Sequence, residues 1–346
     1  MRKKSTLNKS KRIIFYSSVK YYRQFSLQGF YRKDIILLRE MGYDVKLSKS
    51  FLNFFRFWTY DIAFIYFYRA GLLPAMIARL FFKKVIFTGG ADNLDESFAG
   101  KKNYLVQKFL FTACSMFSNI NIVVSKSDMR NIKKFYTGSN LALIRHSIKV
   151  NEYLYDRSPK ENIITTTVWM GRTENVIRKG VDTAIMVFDK FYNEHPDYFL
   201  YIIGLTGDGT EYLRKIIENL PCKGNIIFTG GLNDADKIAI LKKSRFYLQL
   251  SLYEGFGLAA LEALAAGNIV IHSGMGGLNE SVGEFGIVVD NTNSVNSIAR
   301  ILSDSLTWDQ NVLNKKLKEG RNHALELFDD SRRLSLFREF FASFEK

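Results

Sequence analysis

The chain has 346 residues, of which 47% are hydrophobic and 24% are charged, and its net charge is +15. This length and composition suit a globular protein of about two domains and exclude a disordered chain. The positive charge is concentrated in the first half, because residues 1–150 hold 27 basic and 8 acidic residues, a net +19, against −4 for the remainder.

The basic N-terminal stretch, MRKKSTLNKSKR, is followed by only four apolar residues, which is too few for the core of a signal peptide. The longest apolar stretch, 62–87, contains Arg69, Arg79 and a Lys83–Lys84 pair, so we expect no membrane-spanning helix. Aromatic residues are interleaved with the basic ones of this half. We therefore expect a cytoplasmic protein that binds the anionic inner face of the cytoplasmic membrane peripherally; the alternative is a solvated basic surface without a partner.

Short runs of β-branched and aromatic residues alternate with longer helical patterns along the whole chain. Strands separated by helices of about 10–15 residues are typical of βαβ units and parallel sheets. The predicted strands of the first half are 12–17, 44–47, 60–66, 84–88, 120–124 and 142–144, with helices that include 27–41 and 104–117. The predicted strands of the second half are 163–170, 198–203, 225–228, 246–250, 269–271 and 286–289.

A polar stretch at 149–162 separates the two series. We therefore predict an α/β protein with two doubly wound, Rossmann-like domains, 1–150 and 151–328, followed by a final helix at 329–346. The apolar residues of this helix form one stripe, which indicates core packing. In open parallel sheets a ligand lies outside the carboxyl ends of the strands, so a ligand held by both domains would lie in the cleft between those ends.

The segment WMGRTENVIRKG places Gly171 and Arg172 at the end of a predicted strand, and Lys179 and Gly180 at the start of a helix. Two cations at consecutive strand-to-helix junctions suit a diphosphate, whose charge they neutralise as a leaving group departs. The alternative is a pair of solvated loop cations.

The segment EGFGLAALEALAAG begins at Glu254, directly after a predicted buried strand. Gly255 and Gly257 allow close approach of the backbone, and the helix predicted from Leu258 offers free N–H groups to an anion. Glu262 lies just over one turn into this helix, where its carboxylate can accept hydrogen bonds from neighbouring hydroxyls such as those of a ribose. Glu254 can reach hydroxyls on another part of the same ligand; the alternative is two acids with no ligand.

Taken in order, these motifs resemble the retaining glycosyltransferases of the GT-B fold, family-4 type. The matching motifs are Gly171–Arg172, Lys179–Gly180, IIGLTGDG at 202–209, FTGG at 228–231, Glu254 to Glu262 and GGLNE at 276–280. The resemblance covers 163–290 and reaches the first domain only in outline. It implies two Rossmann-like domains facing across a cleft, with an acceptor-binding first domain, a donor-binding second domain and a C-terminal helix that crosses back to the first.

The resemblance also implies roles for individual residues. Glu254 would contact the donor sugar, Glu262 the ribose, and Arg172 and Lys179 the diphosphate, and the turn at 228–231 would lie against the base. The other implied donor-binding positions are Gly171, Gly204, Phe228, Gly230, Gly255, Phe256, Gly257 and Leu258.

The first domain departs from the family pattern. The stretch FTGGADNLD lacks the histidine that is common in the family, so Asp92 is the candidate for an acceptor-facing catalytic acid, with a turn aspartate as the alternative.

None of the four histidines has ligand spacing and no Asp-x-Asp pair occurs, so we expect no metal and no cofactor besides the nucleotide-sugar co-substrate.

The predicted function is a retaining, metal-independent glycosyltransferase. Its donor would be a nucleotide-diphosphate-sugar and its acceptor a hydroxyl of a glycan or lipid-linked molecule, in the synthesis of cell-surface polysaccharide, lipopolysaccharide or glycolipid. A nucleotide-sugar epimerase of the same fold is one alternative, which needs acid and base residues near the sugar. A non-catalytic protein that binds anions or nucleic acid is the other; it leaves both glutamates unexplained, and the chain has no RNP, KH or helix-turn-helix signature.

Overall fold

The computed structural model describes residues 11–89, 91–153 and 159–345. Contacts divide the chain into two compact units. Unit 1 comprises the described residues up to Arg145 together with those from Leu334 onward, and unit 2 runs from His146 to Arg333. The sequence pattern predicts these two boundaries at 150 and 328.

Unit 1 alternates strands and helices. Its elements are β1 Arg12–Tyr16, α1 Gln24–Leu27, α2 Gly29–Glu40, β2 Asp44–Ser48, β3 Ile62–Tyr66, α3 Leu72–Leu80, β4 Lys84–Thr88, α4 Glu96–Phe117, β5 Ile120–Val123, α5 Lys126–Lys133 and β6 Leu141–Leu143. Among the described residues the strands form one six-stranded parallel sheet in the order β2-β1-β3-β4-β5-β6. Every residue of the central strand β3, IAFIY, is buried, as expected for a strand covered on both faces.

Helices cover both faces of this sheet. On one face, α3, α4 and the 3-10 turn Phe51–Phe55 share a buried cluster with alternate residues of the strands. On the other face, α2 packs together with Phe337 and Phe341 of the C-terminal helix, and the ring centroid of Phe341 lies 5.1 Å from that of Tyr43.

Unit 2 repeats the alternation. Its elements are β7 Glu161–Thr167, α6 Thr173–Arg178, α7 Val181–Tyr192, β8 Phe199–Ile203, α8 Asp208–Ile217, β9 Ile226–Gly230, α9 Asp234–Lys243, β10 Ser244–Gln249, α10 Leu258–Ala265, β11 Ile269–His272, α11 Leu278–Ser281, β12 Ile287–Val288, α12 Val295–Leu306 and α13 Gln310–Phe328, followed by α14 Asp330–Glu345, which enters unit 1 at Leu334. In the described part of unit 2 the strands form a second six-stranded parallel sheet in the order β12-β11-β10-β7-β8-β9.

The predicted fold class is confirmed: both units are parallel α/β sheets with crossover helices. Each of the twelve predicted strands overlaps a strand of the structure. The predicted helix from Leu258 is α10, and it ends one residue before Ala266.

Candidate functional site

The sheet of unit 2 brings the predicted positions of the second domain to one edge. Because all strands of this sheet are parallel, the segments that follow them leave at the same carboxyl edge. β10 and β7 are direct neighbours, and β8 lies on the other side of β7. The predicted positions at this edge are Gly171 and Arg172 after β7, Gly204 after β8, Phe228 and Gly230 at the end of β9, and the loop from Glu254 to Leu258 after β10.

The loop after β10 is fixed against the end of α6. The backbone N–H of Leu252 donates to the carbonyl of Arg178 at 2.8 Å, and the Arg178 guanidinium donates to the carbonyl of Tyr253 at 3.0 Å. The loop therefore delivers Glu254 to a fixed position beside Lys179, the residue that follows α6.

Glu254 and Lys179 form a buried ion pair in the structure. Glu254 is only 6% exposed, and its Oε1 atom also accepts hydrogen bonds from Gln249 Nε2 and Ser251 Oγ, both at 3.3 Å. Burial by itself raises the pKa of Glu254, but the charges of Lys179 and Arg178 outweigh it, so the pKa lies below its ordinary value. The carboxylate is therefore ionised at neutral pH, and the cation that holds it is Lys179, for which the family resemblance implies contact with the diphosphate.

The turn that presents Lys179 requires a glycine. Gly180 has a φ of +64°, and a Cβ atom built on it would lie 2.2 Å from the carbonyl oxygen of Leu250. A larger residue would therefore push α7 away from the end of β10. The KG pair thus has a steric reason as well as an electrostatic one.

The loop before α10 is supported from behind by the GGLNE segment. The N–H of Gly277 donates to the carbonyl of Glu254 at 2.7 Å, and a Cβ atom on Gly276 would lie 2.1 Å from that same carbonyl oxygen. Gly257, with a φ of +90°, is the N-cap of α10 and has no side chain to bond the N–H groups of the first turn. These N–H groups remain the part of α10 that can bind an anion.

Phe256 has a packing role within this loop. Its side chain is buried, and its ring makes edge contacts with His146 and Phe328 at centroid distances of 5.7 and 5.4 Å. The aromatic contacts hold the ring, so only the backbone of Phe256 is left to reach a ligand.

The exits of β7 and β8 are packed closely together by glycines. A Cβ atom on Gly204, whose φ is +149°, would lie 1.8 Å from the carbonyl oxygen of Val168, and the N–H of Gly209 donates to the carbonyl of Met170 at 2.9 Å. The glycine-rich turn therefore closes onto the strand exit that carries Arg172. The Arg172 side chain is exposed and makes no hydrogen bond or ion pair with the residues that the structure describes.

Glu262 contacts two residues that the sequence does not predict, Lys237 and Tyr153. Lys237 of α9 places its Nζ atom 2.8 Å from Oε2 of Glu262, and both side chains are largely buried. The buried hydroxyl of Tyr153 also bonds to this carboxylate, and burial, followed by the charge of Glu262, raises the pKa of Tyr153 well above its ordinary value. No motif marks Lys237 or Tyr153, because only the packing of α9 and the 150–153 turn on α10 brings them to Glu262.

The end of β9 presents a half-buried ring. The guanidinium of Arg214 on α8 lies 5.2 Å from the ring centroid of Phe228. Gly230 has a φ of +72°, but open space surrounds its Cβ position, so its backbone conformation rather than crowding favours glycine there.

The acceptor-side candidate lies at the margin of what the structure describes. The backbone of Asp92 belongs to the 3-10 turn Asp92–Leu94, whereas its side chain is outside the described residues, so its catalytic role stays a prediction. In the same segment, Asp95 caps α4 by accepting from the N–H groups of Ser97 and Phe98.

The residues that the structure describes contain no group of three or more His, Cys, Asp or Glu side chains that could hold a metal ion. They also contain no helix that is long and apolar enough to span a bilayer.

Residues 159–322 match the sequence profile of the family described as glycosyl transferases group 1. Among curated proteins, the serotype-specific mannosyltransferase WbdA of Escherichia coli is 28% identical over 173 residues, which are 49% of this chain and 21% of WbdA. The GDP-mannose:cellobiosyl-diphosphopolyprenol alpha-mannosyltransferase of Xanthomonas campestris is 28% identical over 155 residues, 44% of this chain and 39% of that protein. The chain thus matches well under half of each relative's own length.

Among solved structures, HepE of Anabaena in complex with UDP and glucose has a TM-score of 0.75 to this chain at 15% sequence identity. The likeness covers 96% of this chain and 99% of HepE, so it extends over both units and reports their fold. The chain therefore has the GT-B fold, and residues 159–322 of its second unit match the profile of the glycosyl transferases group 1 family.

Proposed function

We propose that this chain is a retaining glycosyltransferase that moves a sugar from a nucleotide-diphosphate-sugar to a hydroxyl of a glycan or lipid-linked acceptor. The observation that carries the proposal is the arrangement of Lys179, Glu254 and Glu262 around the N-terminus of α10, at the carboxyl edge of a parallel sheet. The family match covers these residues. The names of relatives support a role in polysaccharide synthesis, and one of them names a diphosphopolyprenol-linked acceptor.

In the proposed complex the diphosphate lies between Lys179, Arg172 and the N–H groups of Gly257 and Leu258. An ammonium group has three donors, so Lys179 can keep its bond to Glu254 while it donates to a phosphate oxygen. Arg172 has a guanidinium with no partner among the described residues, which leaves it available for a bidentate contact to phosphate. The positive end of the α10 dipole adds to this field.

The two glutamates divide the remaining ligand between them. Glu262 would accept hydrogen bonds from the ribose hydroxyls through the lone pairs that Lys237 and Tyr153 leave open, since a carboxylate has about four acceptor positions. Glu254 would accept from the hydroxyls of the donor sugar. The stretch from Phe228 to Gly231 would lie against the base.

The proposed transfer step breaks the bond between the anomeric carbon and the diphosphate oxygen. The acceptor hydroxyl forms the new bond on the same face of the sugar, and its proton passes to the departing diphosphate. Lys179 and Arg172 lower the barrier because they neutralise charge that develops on the leaving group. We propose that this pair of cations makes a divalent metal unnecessary.

We also propose where the enzyme works. The first unit would bind the acceptor, with Asp92 facing its hydroxyl. Its basic character would hold the enzyme on the anionic cytoplasmic face of the membrane, where a lipid-linked acceptor is found.

A donor screen tests the proposal. Purified protein is incubated with UDP- and GDP-linked sugars in the presence of EDTA, and donor hydrolysis or transfer is followed together with the anomeric configuration of the product. We expect turnover of one donor with retention, and we expect Lys179→Ala to lower kcat/KM about 10²–10³-fold. Lys190→Ala, on the exposed side of α7, is the matched control and should be unaffected.

Folding and catalysis are separated by a second variant. Lys179→Ala leaves the Glu254 carboxylate buried without its cation, whereas Lys179→Ala/Glu254→Gln removes both charges and should restore stability but not turnover. No turnover of any donor, turnover that needs added Mg²⁺ or Mn²⁺, or an inverted product would each contradict the corresponding part of the proposal.

A further inference from the structure

The long helix α4 has an apolar stripe on its outer side. Leu105, Phe109 and Met116 are 51%, 68% and 78% exposed. At 3.6 residues per turn these three side chains lie within about 40° of one another around the helix. The inner side of α4 is buried through Gln107, Phe111, Cys114 and Ser115. The stripe therefore faces away from the core of unit 1.

Helix α3 has a similar stripe. Leu73, Met76 and Leu80 are all exposed and follow the i, i+3, i+7 spacing of one helix side. Just after α3, Phe82 is 95% exposed and has a φ of +55°, a backbone conformation that is uncommon for an aromatic residue. Large apolar side chains are thus presented to solvent along α3 and directly beyond it.

The two stripes belong to one surface. α3 packs directly against α4. Ala75 and Ala78 of α3 share a buried cluster with Phe111 and Cys114 of α4, so both helices cover the same side of the sheet. Their exposed sides therefore point away from that side together. We call this surface the α3–α4 face, defined by Leu73, Met76, Leu80, Leu105, Phe109 and Met116.

Basic residues border the face. On the helical wheel of α4, Lys101, Lys102 and Lys108 lie within about 60° of Leu105, on both sides of the stripe. Glu96, in the first turn of α4, is the only acidic residue in the sequences of the two helices. An apolar stripe between lysines is the pattern of a helix that lies in the membrane interface, since lysine stems extend along the apolar layer while their charges reach the headgroups.

We propose that the α3–α4 face inserts into the headgroup–acyl boundary of a membrane that contains anionic lipid. The inference deepens the proposed function and rests on it only for the reason why the enzyme would visit a membrane. It differs from attachment by net charge alone, because the apolar side chains contribute binding that salt does not screen.

The test measures partition of the full-length protein onto vesicles of phosphatidylcholine with and without phosphatidylglycerol, at about 0.1 and 0.5 M salt. We expect binding to anionic vesicles that weakens in high salt but persists. Leu105→Ser/Phe109→Ser/Met116→Ser should reduce the partition coefficient at least about tenfold at both salt concentrations, because three inserted apolar side chains are lost. Ile36→Ser/Val312→Ser/Leu327→Ser removes three exposed apolar side chains elsewhere and should change it less than about twofold.

The charged border is tested separately. Lys101→Gln/Lys102→Gln should remove part of the binding at low salt and leave the binding at high salt unchanged. Thermal unfolding and nucleoside-diphosphate binding of all variants should match the wild type, since none of the changed residues belongs to the proposed donor site.

Three results would overturn the inference. The first is an unchanged partition coefficient for the triple variant of α4, Leu105→Ser/Phe109→Ser/Met116→Ser, and the second is complete loss of wild-type binding to vesicles at high salt. The third is a wild type that does not bind vesicles but self-associates, with a self-association that the triple variant abolishes. If the wild type binds nucleoside diphosphate but not vesicles, the membrane inference fails and the proposed function stands. If it binds vesicles but no nucleotide, the proposed function fails instead.

Discussion

The carboxylate of Glu262 is held by residues from two other parts of the chain. Lys237 approaches from α9 and Tyr153 from the turn before β7, and both are largely buried beside it. A buried carboxylate with a cation on one oxygen has a fixed orientation, which a ribose-binding acid requires. We therefore regard Lys237 as a positioning residue for Glu262.

We predict that Lys237→Met weakens binding of a nucleoside and of its diphosphate by the same factor, about tenfold, because Glu262 loses the partner that orients it. Lys237→Arg should restore most of the affinity, since a guanidinium can keep the ion pair. Calorimetric titration with the nucleoside and with its diphosphate measures both affinities.

The control is Lys243→Met on the same helix, which removes only the exposed pair with Glu161 and should leave affinity unchanged. A weaker diphosphate affinity with normal nucleoside affinity in Lys237→Met would show that Lys237 acts on the phosphates and not through Glu262.

Residue-level prediction from sequence gives the positions that a motif marks, and the roles of those residues stay predictions. Glu254 follows the end of β10, whereas Lys179 lies between α6 and α7 and not at the predicted strand-to-helix junction, because α6 intervenes after β7. The ion pair nevertheless brings Lys179 to the same edge as Glu254. Prediction from sequence failed for Lys237 and Tyr153, because tertiary packing alone brings them to the site. The direct pairing of Lys179 with Glu254 was missed for the same reason.

At the scale of elements, the strands were the easiest to predict. Buried parallel strands such as β3 and β10 are short, apolar runs between turn residues, and every predicted run overlaps a strand. The 3-10 turns at 51–55 and 57–59 were not predicted, because such short turns carry no periodicity.

The end of β11 contains a histidine, His272, that burial keeps neutral. Nδ1 of His272 accepts from the N–H of Gly274 and Nε2 donates to the carbonyl of Gly283, both at 3.2 Å. Protonation at Nδ1 would break the first bond. Burial lowers the pKa of His272 to about 4. The charge of Lys316 acts in the same direction, and the hydrogen bond to Gly283 acts against it.

We predict that this histidine makes unfolding easier at acidic pH. Its pKa is lower in the folded than in the unfolded chain, so the unfolded chain binds the extra proton, and stability falls as pH drops from about 6.5 toward about 4. The full loss is about 3 kcal/mol. Denaturant unfolding across this range should show a shallower pH dependence for His272→Gln than for the wild type.

His195→Gln is the control for that comparison, because Nε2 of the half-buried His195 hydrogen-bonds, among the described residues, only to the hydroxyl of Ser303. If His272→Gln and the wild type lose stability in parallel between pH 6.5 and 4.5, His272 is not the group responsible.

At the scale of the whole molecule, the two series of alternating strands and helices predicted two parallel sheets, and both are present. The donor-side motifs all fall in unit 2, within the stretch that matches the glycosyl transferases group 1 family. Unit 1 was predicted only in outline, because its loops lack the family's motifs. Its apolar α3–α4 face was hidden in the sequence, since the same residues in a buried helix would give the same pattern.

We propose that unit 2 binds a nucleoside diphosphate, with Glu262 on the ribose and with Lys179 and Arg172 on the phosphates. Calorimetric titration of the wild type and three variants with a nucleoside and its diphosphate tests all three contacts at once. Glu319→Gln, an exposed acid on α13, serves as the control.

We predict that Glu262→Gln weakens nucleoside and diphosphate binding alike, by about 10–100-fold, because a ribose-binding carboxylate becomes a weaker acceptor. Lys179→Ala and Arg172→Ala should weaken binding of the diphosphate by a similar factor and leave the affinity for the nucleoside unchanged. The assignment of the site would be wrong if the wild type and Glu262→Gln bound the diphosphate equally well, or if the wild type bound the nucleoside as tightly as its diphosphate.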